Sequence, residues 1–484
     1  MSKITVIRDP QIKQSKIMTR LEFSNSDETG DPSYDENRVQ LMDQSTMTGI
    51  CYPLIAINNI VIKWDYIRSF ELNGMRELPE ISFSFIDLDN RFTYLCRADK
   101  ENEIRLQILP PYDNAYKKIN LTFFASSISQ GANNVYYVQG IYKLPSLINK
   151  QFKCLGRKST FDLLDYISTE TKLGYASDVR STDDERMIYC NHMSYKDIIH
   201  REMGRAIADE KQVYSCWVDF WNYINLCNIY DRINIKDTAE DMCIWVSPNR
   251  DVMTQKETPK PVRVPAVLSN GPIMEHSELY VNNYDVNQEP MNQYERGNTC
   301  IYSVYEENKH EYIDHVIMDD SGVKNDATMN YEYLGEVYGD YNYKLAEVAS
   351  KFYKQKIQTE TIDVHMQYPA LGLCRGRQVR FLWYDNDSQI ASLIQGMQRS
   401  SLLKELSQYN LGWIYDAIPW EKNQSGTESV FPNLMYCGQY TIIGITIRYA
   451  PPTWDYIVRL VRPDKDKFMF SELEKINQSN RTDV

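Results

Sequence analysis

The 484-residue chain has no C-x-x-C pair, no H-E-x-x-H and no G-x-S-x-G. A zinc ribbon, a thioredoxin-like dithiol, a zincin helix and a serine-hydrolase elbow are therefore not written into it. Histidine is scarce, with six residues: His192, His200, His276, His310, His315 and His365. His310 and His315 are spaced like half of a zinc finger, but no cysteine pair precedes them at the required distance. No apolar run reaches the roughly 18 residues that a membrane span needs. The opening MSKITVIRDPQIKQSK has no apolar core, so a signal peptide is not expected. Positive charge is also short: 53 Lys and Arg stand against 66 Asp and Glu, for a net charge of −13. That argues against a duplex-binding protein held by phosphate contacts and against a polybasic membrane anchor.

What is abundant is tyrosine, at 36 residues. Its large ring and polar tip suit strands and interfaces. The ten cysteines are scattered, and Cys216, Cys227 and Cys243 lie inside apolar runs. They read as small buried hydrophobes in a reducing compartment.

Along the chain, residues 1–47 are polar and aperiodic and read as an arm that orders against a partner. Residues 48–150 alternate with period two. Ile60, Ile62 and Trp64 form one set, followed by Ile81/Phe83/Phe85, Ile104/Leu106/Ile108 and Ile119/Leu121/Phe123, with turn residues between. This predicts a small antiparallel β-barrel or sandwich. Residues 151–245 turn helical and mixed. Ser159–Asp162 and Ser194–Asp197 have capping-box form, Phe161, Leu164 and Ile167 line one stripe, and Gly174 is placed to close the first helix. Ile199, Met203, Ala206 and Ile207 line the second stripe. Five prolines mark 246–272 as a linker or insertion. A mixed segment, 273–355, carries a predicted helix at 340–356. Residues 356–470 return to alternation, with an insert near 400–430 and a helix near Ser401–Tyr409. A polar tail occupies 471–484. The fold class expected is α+β, mostly β: two small antiparallel β-barrels with a helix-containing outer domain between them.

Chemistry is hard to find in this pattern. Cys190 lies two residues before His192, which reads as a buried cysteine beside a surface histidine. Asp183-Asp184-Glu185, Asp87-Leu88-Asp89-Asn90 and Asp385-Asn386-Asp387 read as turn residues. Gly372-Leu373-Cys374-Arg375-Gly376-Arg377 sits between strands, with no helix N-terminus to hold an anion, and reads as a β-turn with exposed arginines. No catalytic, metal-binding or cofactor-binding residue is expected, and no partner interface is assigned.

The arrangement itself carries the signal. A β-rich opening leads into Ser159-Thr160-x-Asp162-Leu163-Leu164, Leu173-Gly174-Tyr175-Ala176-Ser177-Asp178, an acidic loop, and Asp219-Phe220-Trp221-Asn222 entering a strand. Pro369-x-Leu371-Gly372-x-x-x-Gly376 and Gly438-Gln439-Tyr440-Thr441-Ile442 follow. This resembles the central baseplate hub protein of contractile-tailed bacteriophages, best over 155–232 and more loosely over 340–382 and 434–462. The resemblance implies a homotrimer in which each chain supplies two barrels to a pseudo-sixfold ring. That ring joins the tail tube protein to the central spike protein, meets baseplate wedge proteins outside and passes DNA without specific binding. It implies a virion tail component made in the host cytoplasm, no enzyme activity, no cofactor and, from the acidic total, a net acidic lumen. The alternatives are a tail-associated cell-wall hydrolase, or another tail part such as a baseplate wedge or tail terminator.

Overall fold

The computed structural model describes residues 4–12, 52–95, 101–108, 119–206, 213–234, 243–246, 280–286, 299–306, 311–318, 330–333, 360–366, 373–385, 398–408, 412, 414, 431–434 and 436–462. These residues are mostly β, with few helices. After β1 (Thr5–Arg8), a first group of strands runs β2 (Leu54–Ile57), β3 (Ile60–Val61), β4 (Ile67–Asn73), β5 (Glu80–Ile86), β6 (Glu103–Ile108), β7 (Ile119–Gln130) and β8 (Val135–Tyr142). A short helix, α1 (Pro145–Ile148), leads to β9 (Gln151–Lys158), α2 (Thr160–Thr171), β10 (Gly174–Ser177) and β11 (Arg186–Met193). Then come α3 (Tyr195–Met203), β12 (Tyr214–Val218), β13 (Tyr223–Asn228) and α4 (Ile229–Asn234). The remainder holds β14 (Cys243–Val246), β15 (Tyr280–Val286), β16 (Thr299–Glu306), β17 (Glu311–Met318), β18 (Asn330–Tyr333), β19 (Glu360–Met366) and β20 (Gln378–Asp385). It ends with α5 (Arg399–Gln408), β21 (Phe431–Pro432), β22 (Gly438–Ala450) and β23 (Thr453–Arg462).

One sheet dominates. Its strand order is β15-β19-β23-β22-β4-β5-β8-β7-β6-β2-β3, with β14, β20 and β21 branching from the β22 side. Strands from both β-rich ends of the chain thus share one hydrogen-bonded surface. Alternation drives it: in β8, Tyr136, Val138 and Tyr142 are buried while Tyr137 and Ile141 face out. The sheet curls at Gly140. A Cβ there would come within 2.8 Å of Ile81 on β5 and 2.9 Å of Ile104 on β6. Since β6 is not a neighbour of β8, side chains from separated strands meet over this glycine.

The middle of the chain builds a second unit. Its sheet has the order β1-β10-β13-β12, and β9 with β11 forms a separate two-stranded ribbon. Helices α2 and α3 pack between them through Leu163, Leu164, Ile167, Ile198 and Ile199. Strands β16, β17 and β18 form a small sheet of their own.

Several elements differ from the sequence pattern. Thr5–Arg8, inside the stretch read as an arm, forms β1 antiparallel to β10. Arg8 then donates to the Asp165 carbonyl and Ser168 on α2, at 3.0 and 2.8 Å. Four residues are too few for alternation to register. Trp64 does not continue the Ile60/Ile62 set; it starts a 3₁₀ turn and is 44% exposed. Gly174 does not close α2. Lys172, with φ 63°, is the left-handed C-cap, and Gly174 opens β10 where the Tyr223 ring leaves no room for a Cβ. The buried stripe of α3 includes Tyr195, Ile198 and Glu202, because a buried arginine faces Glu202. The expected helix at 340–356, residues 247–272 and the tail at 471–484 lie outside the described residues.

Gly140→Val is expected to destabilise the chain by roughly 1–3 kcal/mol, because the curl leaves no volume for a side chain. Gly204→Ala is the control. Its backbone is right-handed (φ −68°) and its nearest neighbour is 3.9 Å away, so it should be neutral or stabilising by a few tenths of a kcal/mol. Urea midpoints of the two variants check this. Equal effects would contradict the packing described.

Candidate functional site

The feature that organises the molecule is the seam between β4 and β22. Four residue pairs form it: Phe70 with Tyr449, Glu71 with Arg448, Leu72 with Ile447 and Asn73 with Thr446. Strand β22 changes partner along one edge. Its start, Gly438–Thr441, pairs with β20, and after an irregularity at Ile442/Gly444 its second half pairs with β4. The Gly74 amide donates to the Ile445 carbonyl at 2.8 Å, extending the seam by one bond.

Directly opposed residues share a face, so registers read as rows across the sheet. One row runs Ser127, Gln139, Ser82, Glu71, Arg448, Asp455 over six strands. A parallel row runs Ser129, Tyr137, Ser84, Ser69. These rows are polar. Their charges are paired: Arg448 Nε to Glu71 Oε2 at 2.8 Å, and His365 Nδ1 to Asp455 Oδ1 at 2.8 Å. Further along this face, Arg459 grips Asp363 with two bonds of 2.8 Å. Ser69 and Ser84 share a hydrogen bond of 2.6 Å. The other face is apolar: the row of Val138, Phe83, Phe70, Tyr449 and Trp454 is buried in the core. The seam therefore joins two cores behind one polar surface.

A clamp holds the middle unit to this sheet. The Arg375 guanidinium donates to the Met75 and Arg76 carbonyls at 3.3 and 2.9 Å and to Ser215 Oγ at 3.3 Å. It also stacks 4.7 Å from the Trp217 ring. Burial lowers its pKa to about 10. The sequence reading made Arg375 an exposed turn residue. The turn is there, with Gly376 at φ +82°, but tertiary contacts from two separate segments, 75–76 and 215–217, hold the side chain. Phe220 presses on Gly74, where a Cβ would meet its ring at 2.6 Å, and the Val218 amide donates to the Glu77 carbonyl at 2.8 Å.

Residues 160–232 hold three buried polar clusters. Arg186 bonds Glu202 at 2.7 Å and Asp184, while Asp184 receives the Thr160 amide at 2.9 Å. Asp184 is thus no simple turn residue: it caps α2 and ties α2, β11 and α3 together. Asp178 receives the Asn228 amide at 3.0 Å and Arg232 Nε at 3.1 Å. Asp219 receives the Trp221 and Tyr223 amides, both at 2.9 Å, and Asn225 Nδ2 at 3.1 Å. It fixes the turn into β13, and burial pushes its carboxyl up to about 6.

Other sequence candidates stand apart from these clusters. Cys190 is buried, which raises its thiol pKa, while His192 is exposed at φ 53°. His200 Nδ1 lies 2.6 Å from Glu77. Asp87 receives the Arg91 and Phe92 amides, and Asp89 pairs with Lys63 at 3.2 Å. Among the described residues no group of three His, Cys, Asp or Glu is placed to hold a metal ion. No helix among them is long and apolar enough to cross a membrane. Sequence reasoning missed Arg375, Arg186 and Glu202. A charged residue within an otherwise apolar stripe, as at Glu202, was the available signal.

Arg186→Met leaves Asp184 and Glu202 buried without their cation, with an expected loss of roughly 3–5 kcal/mol in a urea melt. A loss under about 1 kcal/mol would contradict the network. Asp219 gives a pH signature. Its folded pKa, about 6, lies above the ordinary 3.8, so the protonated form stabilises the fold. That contribution is complete below the ordinary value and is lost as pH rises through 6. Wild type should therefore gain stability relative to Asp219→Asn on acidification from pH 7 to pH 4. A pH-independent difference would contradict the assignment.

No family model matches the chain, and no curated protein matches it. Among solved structures it is similar to the 43 kDa tail protein of prophage MuSo2 from Shewanella oneidensis, with 8% identity and a TM-score of 0.47, covering 86% of this chain and 98% of that one. It is similar to a tail protein from Neisseria meningitidis, with 7% identity and a TM-score of 0.44, covering 86% and 99%. It is also similar to the half-lidded Francisella PdpA-VgrG complex, with 11% identity and a TM-score of 0.44, covering 90% of this chain and 63% of that one. At identities of this size no residue's role passes from them to this chain.

Proposed function

We propose that the chain is a structural tail protein, the central baseplate hub of a contractile tail. In this reading β2–β8 make one small barrel, and β19, β20, β22 and β23 the core of a second. The observation that carries it is the β4–β22 seam, which merges the two β-rich ends into one sheet with a single polar face. The sequence resemblance supplies the biological setting.

Among the described residues the sheet path ends at β15 and at β3. Open strand edges invite uncontrolled association, and ring closure removes them. Three chains, each with one internal seam and one seam to the next chain, make a pseudo-sixfold tube. The polar face then lines the channel, and DNA passes over serine, glutamine and paired charges with no excess of cations to hold its phosphates. The acidic total of the chain does not concentrate in the exposed rows, where Glu71 is matched by Arg448. The middle unit lies outside and meets wedge proteins. The tail tube and the central spike bind the two ends of the ring. No step of this role requires catalysis.

Native mass measurement tests the reading, on the chain alone and with its tube and spike partners. The expected species is three times the chain mass in at least one of these mixtures. A hexamer would point to a terminator. A monomer that hydrolyses peptidoglycan in a zymogram would point to a hydrolase. Either result overturns the hub.

A further inference from the structure

Three large apolar side chains stand exposed on one face of the β9–β11 ribbon. Phe152 is 78% exposed, Tyr189 57% and Met187 49%. Cys154, also exposed, is opposite Tyr189 in the register, and its sulfur lies 3.8 Å from that of Met187. The other face of the ribbon is the packed one, with Leu155, Ile188 and Cys190 in the core. Among the described residues the ribbon pairs with no third strand. Among the described residues only the His192 ring, 5.4 Å from that of Phe152, stacks on this exposed apolar patch, and such a patch is the usual mark of an interaction surface.

The charge around this patch is opposite to that of the chain. Residues 150–158 carry Lys150, Lys153, Arg157 and Lys158 and no carboxylate, and residues 186–193 carry none either, in a chain of net charge −13. Lys153 already meets Tyr166 and, at 3.3 Å, Glu170, and Lys158 lies 4.9 Å from the Tyr166 ring. Lys150 and Arg157 are exposed. With Arg186 paired to Asp184 and Glu202, three of its five cations are engaged, and the ribbon makes a poor phosphate track for a nucleic acid. It suits an acidic peptide that also brings an aromatic.

The chain contains such a peptide. Residues 24–37, SNSDETGDPSYDEN, hold Asp27, Glu28, Asp31, Asp35 and Glu36 with Tyr34 and no Lys or Arg. The chain leaves its described N-terminal stretch at the C-terminal end of α2. The Gln11 amide donates to the Lys172 carbonyl at the end of α2, the same helix that offers Tyr166 and Glu170 to Lys153. The stretch between Ile12 and Asp27 spans up to ~50 Å when extended. We propose that the acidic segment 24–37 docks on the outer face of the β9–β11 ribbon, its carboxylates facing Lys150 and Arg157 and Tyr34 covering Phe152 and Tyr189. The inference is independent of the hub reading.

Cys154 is a native probe of this face. Its labelling rate with a maleimide is read by peptide mass on the full chain at low salt. Three proteins are compared: wild type, the arm variant D27N/E28Q/D31N/D35N/E36Q and the ribbon variant K150E/R157E. Both variants are expected to label about tenfold faster than wild type, corresponding to about nine-tenths occupancy in wild type. Wild type should approach their rate at high salt. A synthetic 24–37 peptide should slow the arm variant again and leave the ribbon variant unchanged. Equal rates in the three proteins would overturn the proposal. So would slow labelling that survives neutralisation of the arm, since another group would then cover the ribbon. Protection that rises with protein concentration places the segment on a second copy, and constant protection places it on its own chain; both are docking of this segment.

Discussion

Four backbone-paired residues on β4 and four on β22 decide what kind of molecule this is. The two strands are separated by most of the chain, at Ile67–Asn73 and Gly438–Ala450. Closing so long a loop costs only slightly more than closing a medium one, because the penalty grows with the logarithm of length. The offset comes from the cores that the seam joins. Leu72 and Ile447 are both fully buried, and Phe70 meets Trp454 edge to face at 6.3 Å. Without the seam both β-rich ends would present an open edge and an apolar flank. With it, they share one core and one polar face.

The middle unit depends on the same seam. Gly74 follows β4 directly, bonds Ile445 on β22 and receives the Phe220 ring. Arg375 then fastens the loop after β4 to β12 from the far end of the chain. Behind these contacts, the Asp184–Arg186–Glu202 and Asp178–Arg232 pairs specify how α2, β11 and α3, and likewise β13 and α4, sit together. Buried pairs of this kind add little net stability compared with apolar packing, but losing one partner is costly, so they penalise alternative arrangements. The ribbon is left with one face in the core and one face open.

Much of the local structure was legible from local signals. Alternation located β5, β6 and β7, and the two Ser-x-x-Asp caps located α2 and α3, because each depends on residues a few positions apart. β1 escaped because four residues cannot display a period. Arg375, Arg186 and Glu202 escaped because their roles exist only when distant segments meet. The same holds for the seam: β22 was visible as a strand, β4 was not singled out by any alternating set, and nothing in either sequence names the other as partner. The candidate face was equally hidden. Ser82, Glu71 and Arg448 are ordinary outward residues until the register places them in one row.

A cross-strand disulfide tests the seam directly. Glu71→Cys and Arg448→Cys place two thiols on opposed residues of β4 and β22, a pair that the register permits to bond. Mild oxidation of the full chain, followed by peptide mass mapping and non-reducing electrophoresis, should show the 71–448 bridge within a single chain. Absence of that bridge, or its formation only between chains, would contradict a sheet built from both ends of one molecule.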